Sequence, residues 1–142
     1  MKFIILTGMS GAGKSTALKM MEDFGYYCVD NLPIPLIRTF AELSDTNEEL
    51  QKVALGVDIR GRVGFKEMEQ TFQFLKDKNI NFEILYLDAD DSTLVKRFKE
   101  TRRAHPLAMQ DRVDKGILKE REQLSYLKNN ANYIIDTSKL LT

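Results

Sequence analysis

The chain has 142 residues, 43% hydrophobic and 30% charged, which predicts one globular domain with a hydrophobic core rather than a disordered tail or a disulfide-stapled miniprotein. Twenty-one lysines and arginines balance 21 aspartates and glutamates, so no global charge attracts nucleic acid or an anionic membrane, and any anion site must be local. The single cysteine excludes an internal disulfide, and no apolar run approaches the roughly 18 residues of a membrane span, so a cytoplasmic location is expected.

Five short apolar runs alternate with segments of helical spacing along the chain. Their nearly continuous hydrophobicity is typical of strands buried on both faces of a parallel sheet, and they lie at residues 3–7, 26–29, 53–59, 82–87 and 133–135. The segments between them repeat apolar residues every three or four positions, as at Leu36, Phe40 and Leu43. The alternation predicts right-handed crossovers and a doubly wound, five-stranded parallel α/β sheet, whose ligands bind beyond the carboxyl ends of the strands.

No repeat, low-complexity tract or flexible linker divides the sequence, so residues 1–142 are expected to form a single domain. The sequence reaches its end soon after the last predicted strand. Because a doubly wound sheet usually has a helix after its last strand, we expect this domain to be the amino-terminal part of a longer protein.

A glycine-rich segment joins the first predicted strand to the first predicted helix. Its residues 8–15, GMSGAGKS, match G-x-x-x-x-G-K-[ST] in the strand-to-helix setting that a phosphate-binding loop requires. Glycines let the backbone turn N–H groups toward an anion at the helix start, Lys14 supplies charge for the β- and γ-phosphates, and Ser15 supplies a Mg²⁺ ligand. A ligand-free turn would need the glycines but not the Lys-Ser pair. The segment is therefore predicted to bind a nucleoside triphosphate through Gly8, Met9, Ser10, Gly11, Ala12, Gly13, Lys14, Ser15 and Thr16.

Two aspartates follow predicted strands and are candidates for phosphoryl chemistry. Asp58 follows the apolar residues VALGV near the end of the third run and is predicted to hold Mg²⁺ together with Ser15. Asp30 directly follows the second run and is predicted to lie beside the γ-phosphate, where a carboxylate orients water or an acceptor hydroxyl. The alternative for each is a structural role, in which the carboxylate caps the turn after its strand.

A basic segment, KRFKETRRAHP, follows the fourth predicted strand. Arg97 and Arg103 are predicted to form a lid over the triphosphate and to neutralise the charge that spreads onto it during transfer, with Arg102 as a further candidate. The alternative is a solvated helix end, because lysine and arginine commonly complement the negative end of the helix dipole.

Five segments in order along the chain together resemble the RapZ/YvcJ family of nucleotide-binding proteins, the RNase adapter family: GMSGAGKSTAL, MEDFGYYCVDNLP, VDIRG, LDADDSTLVKRFKETRRAHPL and ANYIIDTS. The resemblance implies a P-loop NTPase of kinase-like fold that binds ATP and GTP and hydrolyses them slowly. It also implies a second nucleotide-binding segment at Asp58, Ile59, Arg60 and Gly61. Family members continue into a C-terminal domain implicated in RNA and sugar-phosphate signalling, and a protein or RNA partner is expected only through that domain. Many relatives have a third arginine where this chain has Ala104.

Three functions remain open at this point: a slow, Mg²⁺-dependent regulatory NTPase, a small-molecule kinase, and a module that holds nucleotide without turnover. The sequence contains no recognisable acceptor pocket beyond DNLP, which favours the first. No [NT]-K-x-D guanine motif occurs, and Asp136, Thr137 and Ser138 are placed to frame an adenine. We therefore expect ATP to bind and GTP to be tolerated.

Overall fold

The computed structural model describes residues 2–9, 11–59, 61–101 and 113–138, and in them strands alternate with helices. The strands are β1 (Lys2–Gly8), β2 (Tyr27–Val29), β3 (Lys52–Gly56), β4 (Glu83–Asp88) and β5 (Tyr133–Asp136). The helices are α1 (Lys14–Asp23), α2 (Pro35–Thr46), α3 (Gly61–Asp77), α4 (Asp91–Thr101) and α5 (Val113–Asn129), with a short 3-10 turn at Glu48–Leu50.

The five strands form one parallel sheet in the order β2-β3-β1-β4-β5. Strand β1 lies at the centre, where Ile5 is level with Leu55 of β3 and with Ile84 of β4. Helix α1 packs against β2 and β3, α2 packs against α3, and α5 packs against α3, α4 and β4. The predicted doubly wound, five-stranded α/β sheet is confirmed.

Two local predictions differ from the structure. Strand β3 ends at Gly56 rather than at residue 59. Val57 and Ile59 lengthen the apolar run in the sequence because both are buried in the core beyond the end of the strand. On α2, the buried side chains are Ile37, Ala41 and Ser44. Of the apolar residues whose spacing predicts this helix, Leu36 and Leu43 are 45% and 48% exposed, whereas Phe40 is partly buried against the core. Both sets of residues have helical spacing, and the set that is fully buried is the one that contains Ile37.

Strand β5 is an edge strand, and its apolar side chains are open to solvent. Tyr133, Ile134 and Ile135 are between 39% and 54% exposed. None of the helices in the described ranges is long and apolar enough to cross a membrane.

An ion cluster joins the end of β4 to α4 and α5. The carboxylate of Asp88 accepts hydrogen bonds from Arg121 Nη1 at 2.8 Å and Lys128 Nζ at 3.0 Å. Arg121 Nε also donates to Asp91 Oδ1, in the first turn of α4, at 2.7 Å. Burial by itself raises the pKa of Asp88, but the hydrogen bonds from Lys128 and Arg121 outweigh it and hold the pKa below its ordinary value. The cluster therefore stabilises the fold through an ionised carboxylate.

Replacing this carboxylate is expected to destabilise the protein in a pH-dependent way. Because the folded pKa of Asp88 lies below the unfolded value of about 3.9, its contribution is complete above that value and is lost as the pH falls through the folded pKa. We expect Asp88→Asn to lower the free energy of unfolding by about 1–3 kcal/mol at neutral pH. Urea unfolding followed down to about pH 3 should show the gap between variant and parent shrinking.

Asp45→Asn, on the exposed side of α2, is the matched control and should leave the free energy of unfolding nearly unchanged. A gap between Asp88→Asn and the parent that stays constant with pH would contradict the role assigned to the ionised carboxylate.

Candidate functional site

The loop between β1 and α1 has the backbone that its glycines predict. Gly8, Gly11 and Gly13 have φ angles of 149°, 86° and 96°, a range in which other residues are strained. Gly13 directly precedes the first turn of α1, where backbone N–H groups lack partners within the helix. The loop therefore returns the chain to the positive end of a helix, which is a favourable place for an anion.

Gly8 also passes too close to β4 for any side chain. A Cβ atom on Gly8 would lie 2.1 Å from the carbonyl oxygen of Leu87. Just after it, the N–H of Met9 donates to the same oxygen at 3.1 Å, which extends the contact between β1 and β4 by one residue. The start of the loop is therefore fixed to the sheet.

Two loop residues that are predicted to contact nucleotide also shape the loop. The side chains of Met9 and Ala12 are fully buried in the core. The N–H of Ala12 donates to the carbonyl oxygen of Met9 at 3.0 Å, closing a tight turn inside the loop.

The loop brings Lys14 and Ser15 to the two predicted carboxylates. Ser15 Oγ donates to Asp30 Oδ2 at 2.9 Å, and Lys14 Nζ lies 3.7 Å from Asp58 Oδ1. Asp30 fits above the end of β3 because Gly56 has no side chain: a Cβ there would lie 2.9 Å from Asp30 Oδ1. The structure thus assembles these four residues at the carboxyl ends of neighbouring strands, but Ser15 contacts Asp30 rather than Asp58.

Arg97 reaches the phosphate loop from α4, although its described contacts are with backbone and with Thr137. Its Nη1 donates to the carbonyl oxygen of Gly11 at 2.9 Å and to Thr137 Oγ1 at 3.1 Å, and its Nη2 donates to the carbonyl oxygen of Thr137 at 2.7 Å. Thr137 Oγ1 lies 2.7 Å from the carbonyl oxygen of Ala12. The sequence pattern associates Thr137 with a base and does not indicate this contact. Its position two residues after the last predicted strand is the signal that places it at this end of the sheet.

The remaining predicted site residues divide into two groups. Ile59 is buried in the core, Thr16 is exposed on α1, and Gly61 begins α3. Four others lie outside the described residues, and their predicted roles stay predictions: Ser10, Arg60, Arg102 and Arg103.

A cavity of about 400 Å³ lies at the opposite end of the strands from this cluster, next to the residues that precede β4 and β5. Its walls include the stacked rings of Phe72 and Phe82 and the side chains of Asn81 and Asn132. An anion site made of backbone N–H groups is an open nest rather than an enclosed volume, so we identify the site from its donors and not from cavity size.

The oxygen atoms of Ser15 and Asp30 could serve as ligands of a magnesium ion. Mg²⁺ prefers oxygen ligands and is commonly held by one or two protein groups together with phosphate oxygens and water. The hydroxyl of Ser15 and the carboxylate of Asp30, whose oxygen atoms lie 2.9 Å apart, are protein groups of this kind.

The sheet order, with a phosphate loop after its central strand, defines a P-loop fold of the kinase type. Two solved structures share it: shikimate kinase from Bacteroides thetaiotaomicron, with a TM-score of 0.63 and 17% identity over 100% of this chain and 89% of that one, and shikimate kinase from Acinetobacter baumannii in complex with shikimate, with a TM-score of 0.59 and 19% identity over 96% and 83%. At such identities the similarity shows the fold alone.

The chain belongs to the RapZ-like family, because the family model for the RapZ-like N-terminal domain matches residues 1–142. A nucleotide-binding protein from Agathobacter rectalis is 60% identical over 143 residues, covering 100% of this chain and 49% of that protein. One from Lachnoclostridium phytofermentans is 54% identical over 142 residues, covering 99% and 50%. The resemblance found in the sequence is confirmed, and the chain spans about half the length of the curated relatives it matches.

A pair of glycine substitutions tests the close approach of the loop to β4. Gly8→Ala should lower the free energy of unfolding by about 4 kcal/mol or more, because its Cβ would meet the backbone of Leu87. Gly25→Ala is the control, since Gly25 also has a positive φ, 91°, but a Cβ there meets nothing within 4 Å. It should cost only the strain of the backbone conformation, about 1–2 kcal/mol. Urea unfolding measures both, and equal losses would contradict the steric explanation.

Proposed function

We propose that this protein binds ATP, tolerates GTP, and hydrolyses the bound nucleotide slowly with Mg²⁺ in a regulatory role. The observation that carries the proposal is the cluster at the start of α1, where Lys14 and Ser15 follow the glycine loop and each meets a carboxylate. We place the protein in the cytoplasm, where nucleoside triphosphates are available.

The β- and γ-phosphates would bind at the N–H groups of the first turn of α1, with Lys14 as the nearest charged side chain. Lys14 and Asp58 form a long ion pair, 3.7 Å, which a phosphate can replace as the partner of the ammonium group. This arrangement supports a site whose lysine is already oriented before nucleotide arrives.

The contacts favour an exchange of the two carboxylate roles expected from the sequence. Asp30 lies next to the hydroxyl that would bind Mg²⁺, so we propose that Asp30 supports the metal with Ser15. When bound, the metal neutralises charge on the phosphates. Asp58, beside Lys14, would then lie near the γ-phosphate, where a carboxylate can orient the attacking water.

A small-molecule kinase is the second candidate function. It is favoured by the presence of two carboxylates at the site, because one can support the metal while the other accepts a proton from a substrate hydroxyl. The two functions differ in whether the γ-phosphate passes to water or to another acceptor.

The regulatory role is proposed to depend on a further domain. The chain spans about half the length of its curated relatives, and the remaining length in those proteins is sufficient for such a domain. A protein or RNA partner would act through that domain, since the balanced charge of this one gives no general attraction for RNA.

Release of phosphate from ATP in the absence of any acceptor is the expected activity, and Lys14→Ala should reduce it at least about a hundredfold. The measurement uses ATP labelled on the γ-phosphate, with calorimetry to follow binding, which Lys14→Ala should abolish. Lys19→Ala removes an exposed lysine from the same helix and is the matched control. Transfer to an added hydroxyl compound without phosphate release would identify a kinase, and binding without either reaction would identify a nucleotide-holding module.

The two carboxylate roles predict different effects of magnesium. Asp30→Asn should weaken ATP binding about tenfold in the presence of Mg²⁺ and little in its absence, because it removes support from the metal. Asp58→Asn should lower turnover while the dependence of binding on Mg²⁺ is retained. Asp23→Asn, exposed at the end of α1, is the control. The reverse pattern would restore Asp58 to the metal, and equal effects with and without Mg²⁺ would return both aspartates to structural roles.

A further inference from the structure

Two consecutive carbonyl groups of the phosphate loop are held by residues from distant parts of the chain. The carbonyl oxygen of Gly11 accepts a hydrogen bond from Arg97 Nη1 at 2.9 Å. The carbonyl oxygen of Ala12 accepts one from the hydroxyl of Thr137 at 2.7 Å. Both holding groups come from outside the glycine loop, one from α4 and one from the residue after β5.

Thr137 is itself fixed in place. Its side chain is buried, and its backbone N–H donates to the carbonyl oxygen of Asp88 at 2.8 Å. Its hydroxyl has one proton, and the nearest acceptor is Ala12 at 2.7 Å rather than the carbonyl oxygen of Asp88 at 3.2 Å. The lone pairs of the hydroxyl then accept from Arg97 at 3.1 Å. The hydrogen bonds therefore run in one direction, from Arg97 through Thr137 to the loop.

The consequence for the loop follows from the geometry of the peptide bond. In a planar trans peptide the C=O of one residue and the N–H of the next point in opposite directions. Holding the Gly11 carbonyl toward Arg97 therefore aims the N–H of Ala12 the other way, where it donates to Met9 at 3.0 Å. Holding the Ala12 carbonyl toward Thr137 aims the N–H of Gly13 away from Thr137.

These peptide groups need such support because glycine flanks them. Gly11 and Gly13 have positive φ angles and no Cβ, so rotation of the intervening peptides meets little steric resistance. A rotated peptide would place a carbonyl oxygen where the loop needs an N–H donor, and a carbonyl oxygen repels an anion.

We infer that Arg97 and Thr137 are positioning residues that hold the phosphate loop in its anion-binding conformation. The inference rests on the proposed function of the same loop and adds a role that sequence analysis assigned to neither residue. Arg97 was expected to act on the γ-phosphate and Thr137 to frame the base. In the inferred role both act through the backbone of the loop, so their effect is on the triphosphate and is independent of the base.

Three variants with two ligands separate these roles. Thr137→Val keeps the shape of the side chain and removes the hydroxyl, Thr137→Ser keeps the hydroxyl, and Arg97→Lys keeps the charge but loses the guanidinium fork. Calorimetry with Mg²⁺ compares ATP with inorganic tripolyphosphate, which has no base. We expect Thr137→Val and Arg97→Lys to weaken both ligands by the same factor, about tenfold, and Thr137→Ser to bind nearly as the parent does.

The other outcomes overturn the inference in recognisable ways. Loss of affinity for ATP alone would assign these residues to the base, and reduced turnover with unchanged affinity would assign them to the charge that develops in the reaction. Lys96→Ala, an exposed lysine on the same helix, controls for a general loss of charge. Urea unfolding of each variant separates a local change in the loop from a loss of global stability.

A measurement without nucleotide tests the inference independently of the proposed function. The amide hydrogen of Ala12 should exchange about tenfold faster in Thr137→Val and Arg97→Lys than in the parent, because its hydrogen bond to Met9 loses support. Unchanged exchange would contradict the inference even if nucleotide binding were affected. If the two variants exchange faster than the parent but the parent binds neither ligand, the positioning role stands and only the proposed function is contradicted.

Discussion

The close approach of Gly8 to the backbone of β4 is the constraint on which the site depends. A Cβ at this position would lie 2.1 Å from the carbonyl oxygen of Leu87, so the loop can begin at the sheet only with glycine. The same oxygen then accepts the N–H of Met9, and the chain turns back from that fixed point into α1. The positions of Lys14 and Ser15 follow from this start, because they occupy the first turn of that helix.

The chain has zero net charge, and two of its charged clusters differ in burial and in the length of their contacts. Asp88 is buried, with its side chain 12% exposed, and is held by short hydrogen bonds to Arg121 and Lys128. Asp58 is 31% exposed and makes a longer contact with Lys14. The first cluster is buried and its contacts are short, whereas the second is more exposed and its contact is longer, which supports the proposal that a phosphate replaces Asp58 as the partner of Lys14.

The fold by itself does not decide the reaction. This chain shares its architecture with shikimate kinases at 17% and 19% identity, a level at which the backbone is retained while most side chains differ. Its relatives at 60% and 54% identity are named nucleotide-binding proteins and are about twice its length. Whether the proposed activity is hydrolysis or transfer therefore depends on what Asp30 and Asp58 would face with a triphosphate bound, and on the part of the relatives' length that this chain does not cover.

The sequence by itself determined the parallel sheet, the phosphate loop and the edge at which Lys14, Ser15, Asp30 and Asp58 meet, because these follow from local patterns: apolar runs, helical spacing and residues that end strands. Only the tertiary structure decided which carboxylate contacts Ser15, which residues of α2 are buried, and what Arg97 and Thr137 hold. Arg97 and Gly11 are separated by 86 positions, and Thr137 and Ala12 by 125. Contacts over such separations are set by the crossovers and the strand order, which determine where the ends of distant segments meet, and no local pattern contains that information.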